Sequence, residues 1–206
     1  MSQEPSRTVP VTELRIGFGR RLVAILLDGI IIAIVSGILA LSAGSAFEPL
    51  VEKHIAAQTE EMNASLSEMD EEQADMAMGF AKTGIVWGFV ATALALVYSL
   101  FEIFAAASPG KMMLGIKIAN ADGTAATTQT LTTRWLVKTG LSSLLSIAGM
   151  LTGTAMLTTL SQVIGLVVFL GCFLVLGSNR QALHDMIAKT AVYRREHVMQ
   201  PESVVM

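Results

Sequence analysis

The twenty residues from Leu22 to Leu41 include one charged side chain, Asp28, and are otherwise apolar enough to cross a bilayer. A carboxylate inside such a run costs about 2.5–3.5 kcal/mol on insertion scales, so its presence needs a reason. Arg21 lies seven residues before it. On a helix rising about 1.5 Å per residue, the two side chains project from one face, roughly 10 Å apart along the axis. Two readings are open. Arginine reaches down its own helix and locks the acid in place, or the acid takes part in moving a proton or cation.

The rest of the chain repeats the apolar theme. Of 206 residues, 52% are hydrophobic and only 15% charged, against about 25% charged in a soluble domain. The apolar residues gather in blocks rather than stripes. The tract from Trp135 to Gly177 far exceeds the ~20 residues that one span needs, and predicts two spans with a tight turn near Gly149–Thr154. The expected fold is an all-α integral membrane protein. Its four transmembrane helices fall at about 22–43, 83–104, 135–152 and 156–177, with an acidic helical extracytoplasmic loop. A basic N-terminal segment (1–21) and a C-terminal segment (178–206) flank this membrane domain (22–177).

Basic residues set the orientation. Arg7, Arg15, Arg20 and Arg21 precede the first span, Lys111, Lys117, Arg134 and Lys138 lie between the second and third, and Arg180, Lys189, Arg194 and Arg195 follow the fourth. Four spans put all three groups on one face, predicting both termini cytoplasmic in a bacterial inner membrane. Only Lys53 and Lys82 fall opposite. A cleavable leader is a weaker account of the first span, because its apolar run exceeds 7–15 residues and contains Asp28.

The outer loop, Phe47–Gly79, carries Glu48, Glu52, Glu60, Glu61, Glu68, Asp70, Glu71, Glu72 and Asp75. Ile55, Met62, Met69 and Met76 recur every seven residues, with Val51 and Leu66 on neighbouring turns, which predicts an amphipathic helix or helical pair. Asn63-Ala-Ser65 is a formal but short glycosylation sequon. On the opposite face, Pro109-Gly110-Lys111 opens an alternating stretch that ends at Asp122-Gly123. A phosphate loop is excluded there, since the upstream glycine is missing and Met112 replaces Ser or Thr. A basic hairpin or interfacial helix on anionic headgroups fits better.

Three pieces in this order resemble the RDD family of small bacterial membrane proteins, named for one arginine and two aspartates. They are Arg21-Leu-Val-Ala24-Ile-Leu-Leu-Asp28-Gly29, then Ser108-Pro109-Gly110-Lys111-Met-Met-Leu-Gly115-Ile-Lys117-Ile followed by Asp122-Gly123, and Leu183-His184-Asp185-Met-Ile-Ala188-Lys-Thr190-Ala-Val192. The resemblance runs from about Gly19 to Tyr193. It makes Arg21, Asp28 and Asp185 the three naming residues. Ser108 stands where the pattern more often has Thr, and the acidic loop is longer than in many members. What the family does is poorly defined; transport, including cation/proton exchange, is proposed for some members.

The candidate site is a relay or structural polar cluster of Arg21, Asp28, Glu102, His184 and Asp185, with Pro109, Gly110 and Lys111 as a loop motif. Lys111 and Arg134 fall at the same end of the spans. Two acids near a switchable cation suit a proton or cation relay, and His184 adds a side chain that titrates near neutral pH. A structural ion-pair cluster is the competing account. The rival function is a non-transporting accessory or scaffold protein that binds another membrane protein. No nucleophile elbow or HExxH motif accompanies His184-Asp185, so no enzyme is expected. No basic block interleaved with aromatics points to nucleic acid, and the lone Cys172 excludes an intrachain disulfide. No cofactor is expected. Expected partners are the bilayer, a monovalent cation or proton, and a second copy or another membrane protein. The spacings Gly84-x-x-x-Gly88 and Gly149-x-x-x-Gly153 suit close helix packing, with homodimerisation as the alternative.

Overall fold

The computed structural model describes residues 10–66 and 69–199, with side chains throughout except at 59–66. Arg7 and Glu68 therefore lie outside the described residues, as do the side chains of Glu60, Glu61, Met62, Leu66 and the Asn63–Ser65 sequon.

Among the described residues, four helical segments are long and apolar enough to cross a membrane: Phe18–Gln58, Glu71–Ala105, Thr128–Thr152 and Ala155–Leu176. The chain divides into two compact units. One comprises residues 28–100 and 138–167, the other residues up to 27, 101–137 and 168 onward.

The first unit is helical. Helix α1 (Phe18–Leu66) enters it and loses helical geometry at Ala43, where φ is −135° and ψ 18°. Beyond the break the helix resumes and carries Val51 into full burial against Val86, Phe89 and Val90 of α2 (Glu71–Ser99), with Phe47, Ile55 and Ile147 alongside. The continuation of α1 beyond Ala43 thus shares an apolar seam with α2. Asp70 starts α2 by accepting the Gln73 amide at 2.8 Å, and Glu71 and Glu72 follow in its first turn, where the helix dipole favours acids. The seven-residue methionine seam does not form throughout, because Met69 and Met76 are exposed. Trp87 anchors α2 to α1 by donating Nε1–H to Ser36 Oγ at 3.0 Å.

Helix α6 (Leu141–Thr152) and helix α7 (Ala155–Cys172) are joined at Gly153, which has φ +70°. Only glycine adopts that conformation without strain. A Cβ on Gly149 would lie 2.6 Å from Thr158 Cγ2 and 2.9 Å from its backbone nitrogen, so this glycine permits the hairpin to close. Gly84 and Gly88 behave differently: a Cβ on either meets nothing within 4 Å. The expected close packing holds at Gly149 and fails at Gly84 and Gly88 within one chain.

The second unit departs from an all-helical fold. Strand β1 (Ile116–Asn120) pairs antiparallel with β2 (Thr190–Arg194), Ile116 opposite Arg194 and Asn120 opposite Thr190. The alternating stretch after Lys111 turns back on itself only briefly, at an antiparallel Ala119–Ala125 bridge across Asp122-Gly123, where Asn120 donates its amide to the Thr124 carbonyl at 2.9 Å. Its partner is the strand beyond the last apolar helix. Arg15 bridges to Tyr193, and Ile16 donates to the Val192 carbonyl at 2.7 Å, bringing the approach to α1 onto the sheet. Ile116, Ile118 and Val192 bury one side with Ile16, Ala24, Ala106 and Leu131. Tyr193 is fully buried, donates to the Ala121 carbonyl at 2.8 Å and accepts from Arg15 Nε at 3.3 Å. Short helices α3 (Phe101–Ala105), α4 (Pro109–Met113), α5 (Thr128–Trp135) and α8 (Leu183–Ile187) surround this sheet.

Candidate functional site

Each short element around the sheet brings one charged side chain inward. Helix α3 carries Glu102, α4 Lys111, α5 Arg134, α8 His184 and Asp185, and the first turn of α1 Arg21. All six are buried. Ala106, with φ +55°, turns the chain between α3 and α4, and Pro109 at the head of α4 suits a first helical turn because its missing N–H costs nothing there.

Arg134 is the hub. Its Nη1 donates to Glu102 Oε2 at 2.6 Å, its Nε to Asp185 Oδ1 at 2.9 Å, and its Nη2 lies 3.1 Å from His184 Nε2. Lys111 pairs with the other oxygen of Glu102, and Arg21 with the other oxygen of Asp185. Arg21 also donates to the Ile16 carbonyl at 3.0 Å and to the Arg180 carbonyl at 2.8 Å. Asp185 Oδ2 accepts the Ala182 amide at 3.2 Å. Three cations thus share two carboxylates, every carboxylate oxygen facing a cation. Buried charges persist only when paired in this way.

His184 Nε2 also lies 3.4 Å from Asp185 Oδ1, so the imidazole touches both the hub arginine and its acid.

Burial alone would raise the Asp185 carboxyl, but Arg134 and Arg21 beside it hold it well below the usual carboxylate range. A depressed folded-state value means that Asp185 stabilises the fold fully above its unfolded value, about 4, and loses that contribution as pH falls below it. In thermal melts of detergent-solubilised protein, Asp185→Asn is expected to melt well below wild type at pH 7. The gap should narrow as pH falls below about 4. A gap that stays constant down to pH 3 would contradict the pairing.

The expected Arg21–Asp28 lock is not formed. Arg21 spends all three nitrogens on Ile16, Asp185 and Arg180. Asp28 lies in the helical unit, where its Oδ1 accepts the Tyr98 hydroxyl at 2.7 Å. The five relay candidates therefore separate: Arg21, Glu102, His184 and Asp185 form the network, and Asp28 stands with Tyr98. Lys111 is likewise corrected. It turns inward to Glu102, whose second oxygen it faces while Arg134 faces the first, rather than outward to headgroups.

Tyr98 was legible only as a neighbour of Glu102. The usable signal was a lone tyrosine in an apolar helix, whose hydroxyl needs a partner when buried. The sequence sets Arg134 at the same end of the apolar helices as the polar cluster, and no local pattern marks it as a hub. Among the described residues no group of histidine, cysteine, aspartate and glutamate side chains is arranged to hold a metal ion.

The sequence model of the RDD family matches residues 15–189. No curated protein matches the chain, and no solved structure does.

Proposed function

From the premise that this chain belongs to the RDD family, we propose that it is a bacterial inner-membrane protein that moves a proton or monovalent cation through Asp28. The observation that carries this reading is the Asp28–Tyr98 hydrogen bond between two apolar helices, α1 and α2. A phenol donates to a carboxylate and accepts from a carboxylic acid, so the bond survives both protonation states. Asp185 differs, since protonating it would forfeit two guanidinium contacts. The buried network is the frame that holds the helix ends, and Asp28 is the exchanging group. Both termini lie in the cytoplasm, on the positive-inside distribution of bases. Four helices enclose little space for a path, so transport would run through an oligomer or with a partner. The chain catalyses no covalent chemistry.

The rival reading is an accessory or scaffold protein that binds another membrane protein and carries no flux. The full mutual pairing of the network favours it, because such a frame suits a rigid docking body. Proteoliposomes loaded with a pH-sensitive dye separate the two. Wild-type flux should fall to the protein-free background in Asp28→Asn, with an unchanged melting temperature, and Asp28→Glu should retain part of it. An inactive wild type that co-purifies with a stable membrane partner would favour the accessory role.

A further inference from the structure

The sheet-bearing unit carries cations on its surface that the buried network does not use. A cleft of about 490 Å³ is lined by Arg20, Arg180, Arg194 and His197, against one acid, Glu13. A second cleft, of about 590 Å³, shares Arg20 and Arg194 and adds Arg195 opposite Glu196. A third, of about 230 Å³, shares Arg195 and adds Lys117 and the exposed Met112. Arg20 and Arg194 line the first two clefts and Arg195 the second and third, so the three adjoin as one open, shallow groove.

Not all of these cations are available. Arg180 donates to the carbonyls of Glu13 and Arg15 at 3.1 Å each, and Arg194 faces Glu196 at 3.4 Å. The side chains of Arg20, Lys117 and Arg195 have no hydrogen bond or ion pair among the described residues. Arg20 and Arg195 line one cleft and Arg195 and Lys117 the next, with Glu13 and Glu196 the acids among the lining residues. Cations in excess over acids repel one another, and a phosphate beside them relieves that repulsion through charge-assisted hydrogen bonds. The apolar side chains nearby identify the kind of phosphate. Met112 lines the groove itself, Met113 beside it in α4 is 67% exposed, and Leu22 and Val23 follow Arg20 on α1 with their side chains exposed. A free anion has no use for such surroundings, whereas acyl chains do.

We propose that this groove binds the phosphate headgroup of an anionic glycerophospholipid, with Arg20, Lys117 and Arg195 as its ligands. The groove is distinct from the Asp28 site. The proposal requires the apolar helices to lie in a bilayer, but it does not require ion movement. A protein without flux can still bind the lipid.

The full chain in neutral detergent micelles is titrated with phosphatidylglycerol or phosphatidylcholine, and bound lipid is counted by native mass spectrometry. Phosphatidylglycerol should bind saturably and more tightly than phosphatidylcholine. At about 5-fold per cation, the triple variant Arg20→Gln/Lys117→Gln/Arg195→Gln should lose roughly 100-fold in affinity. Lys53→Gln/Lys82→Gln, which removes two charges from the other unit, should bind as wild type. Should the triple variant not be recoverable, Lys117→Gln and Arg195→Gln singly give the same test at about 5-fold each. Wild-type affinity in the groove variants overturns the proposal. Equal losses in the Lys53/Lys82 control, or displacement of phosphatidylglycerol by equimolar inorganic phosphate, overturn it as well.

Discussion

Arg134→Ala is expected to destabilise the protein by about 3–5 kcal/mol, the cost of removing one partner from a buried ion cluster. The side chain is 2% exposed and touches Glu102, Asp185 and His184 at once. Its loss takes one cation from each of the two buried acids, leaving Lys111 beside Glu102 and Arg21 beside Asp185. Total stabilities of about 5–15 kcal/mol make such a loss close to unfolding. Arg134→Lys should recover only part, because an ammonium is a compact point charge and cannot span two carboxylates and an imidazole as the planar fork does. The ion pairs themselves are not the source of stability. Replacing Glu102, Lys111 and Arg134 together by Gln, Met and Met, which leaves the Arg21–Asp185 pair, should therefore cost less than Arg134→Ala alone. Thermal melts of the detergent-solubilised variants check this order. A triple variant less stable than Arg134→Ala would show that the network contributes through attraction rather than through avoided desolvation.

Gly171→Val is expected to damage the same network from outside it. A Cβ on Gly171 would lie 2.5 Å from Leu183 Cβ, and Leu183 opens the short helix that carries His184 and Asp185. That Cβ is fixed to the backbone, so relief requires α8 itself to move, taking Asp185 away from Arg21 and Arg134. Overpacking of this kind costs about 1–3 kcal/mol, and loosened ion pairs add to it. Gly165 on the same helix is the control, because a Cβ there meets nothing within 4 Å. Gly165→Val should melt close to wild type. The signature of the proposed route is a reduced acid dependence below about pH 4, since Asp185 would no longer be held so far below its unfolded value. Equal melting of the two glycine variants would sink this account.

Much of the helical unit was legible because its signals are local. Apolar run length, the cluster around Gly153 and the acids at the start of α2 each act over a few residues, through hydrophobicity, a left-handed backbone and a helix dipole. The Arg21–Asp28 pairing was also a local inference, and it failed. Seven residues on one helix set two side chains on one face, yet they leave open whether a better partner comes from elsewhere. Asp185, 164 positions away, meets Arg21 as well as Arg134, and no periodicity reports such a meeting.

The sequence by itself determined the family, the four apolar helices and the charged residues that matter, because burial in an apolar setting selects residue types at particular positions. The tertiary structure alone decided who pairs with whom. Strand β1 found β2 about seventy residues further along the chain, beyond two apolar helices, Lys111 turned inward, Arg134 became the hub, and Asp28 paired with Tyr98 rather than Arg21. The physical reason is desolvation: a buried charge takes whichever opposite charge or hydrogen-bond donor the packed chain delivers within about 3 Å, and that delivery is a property of the fold.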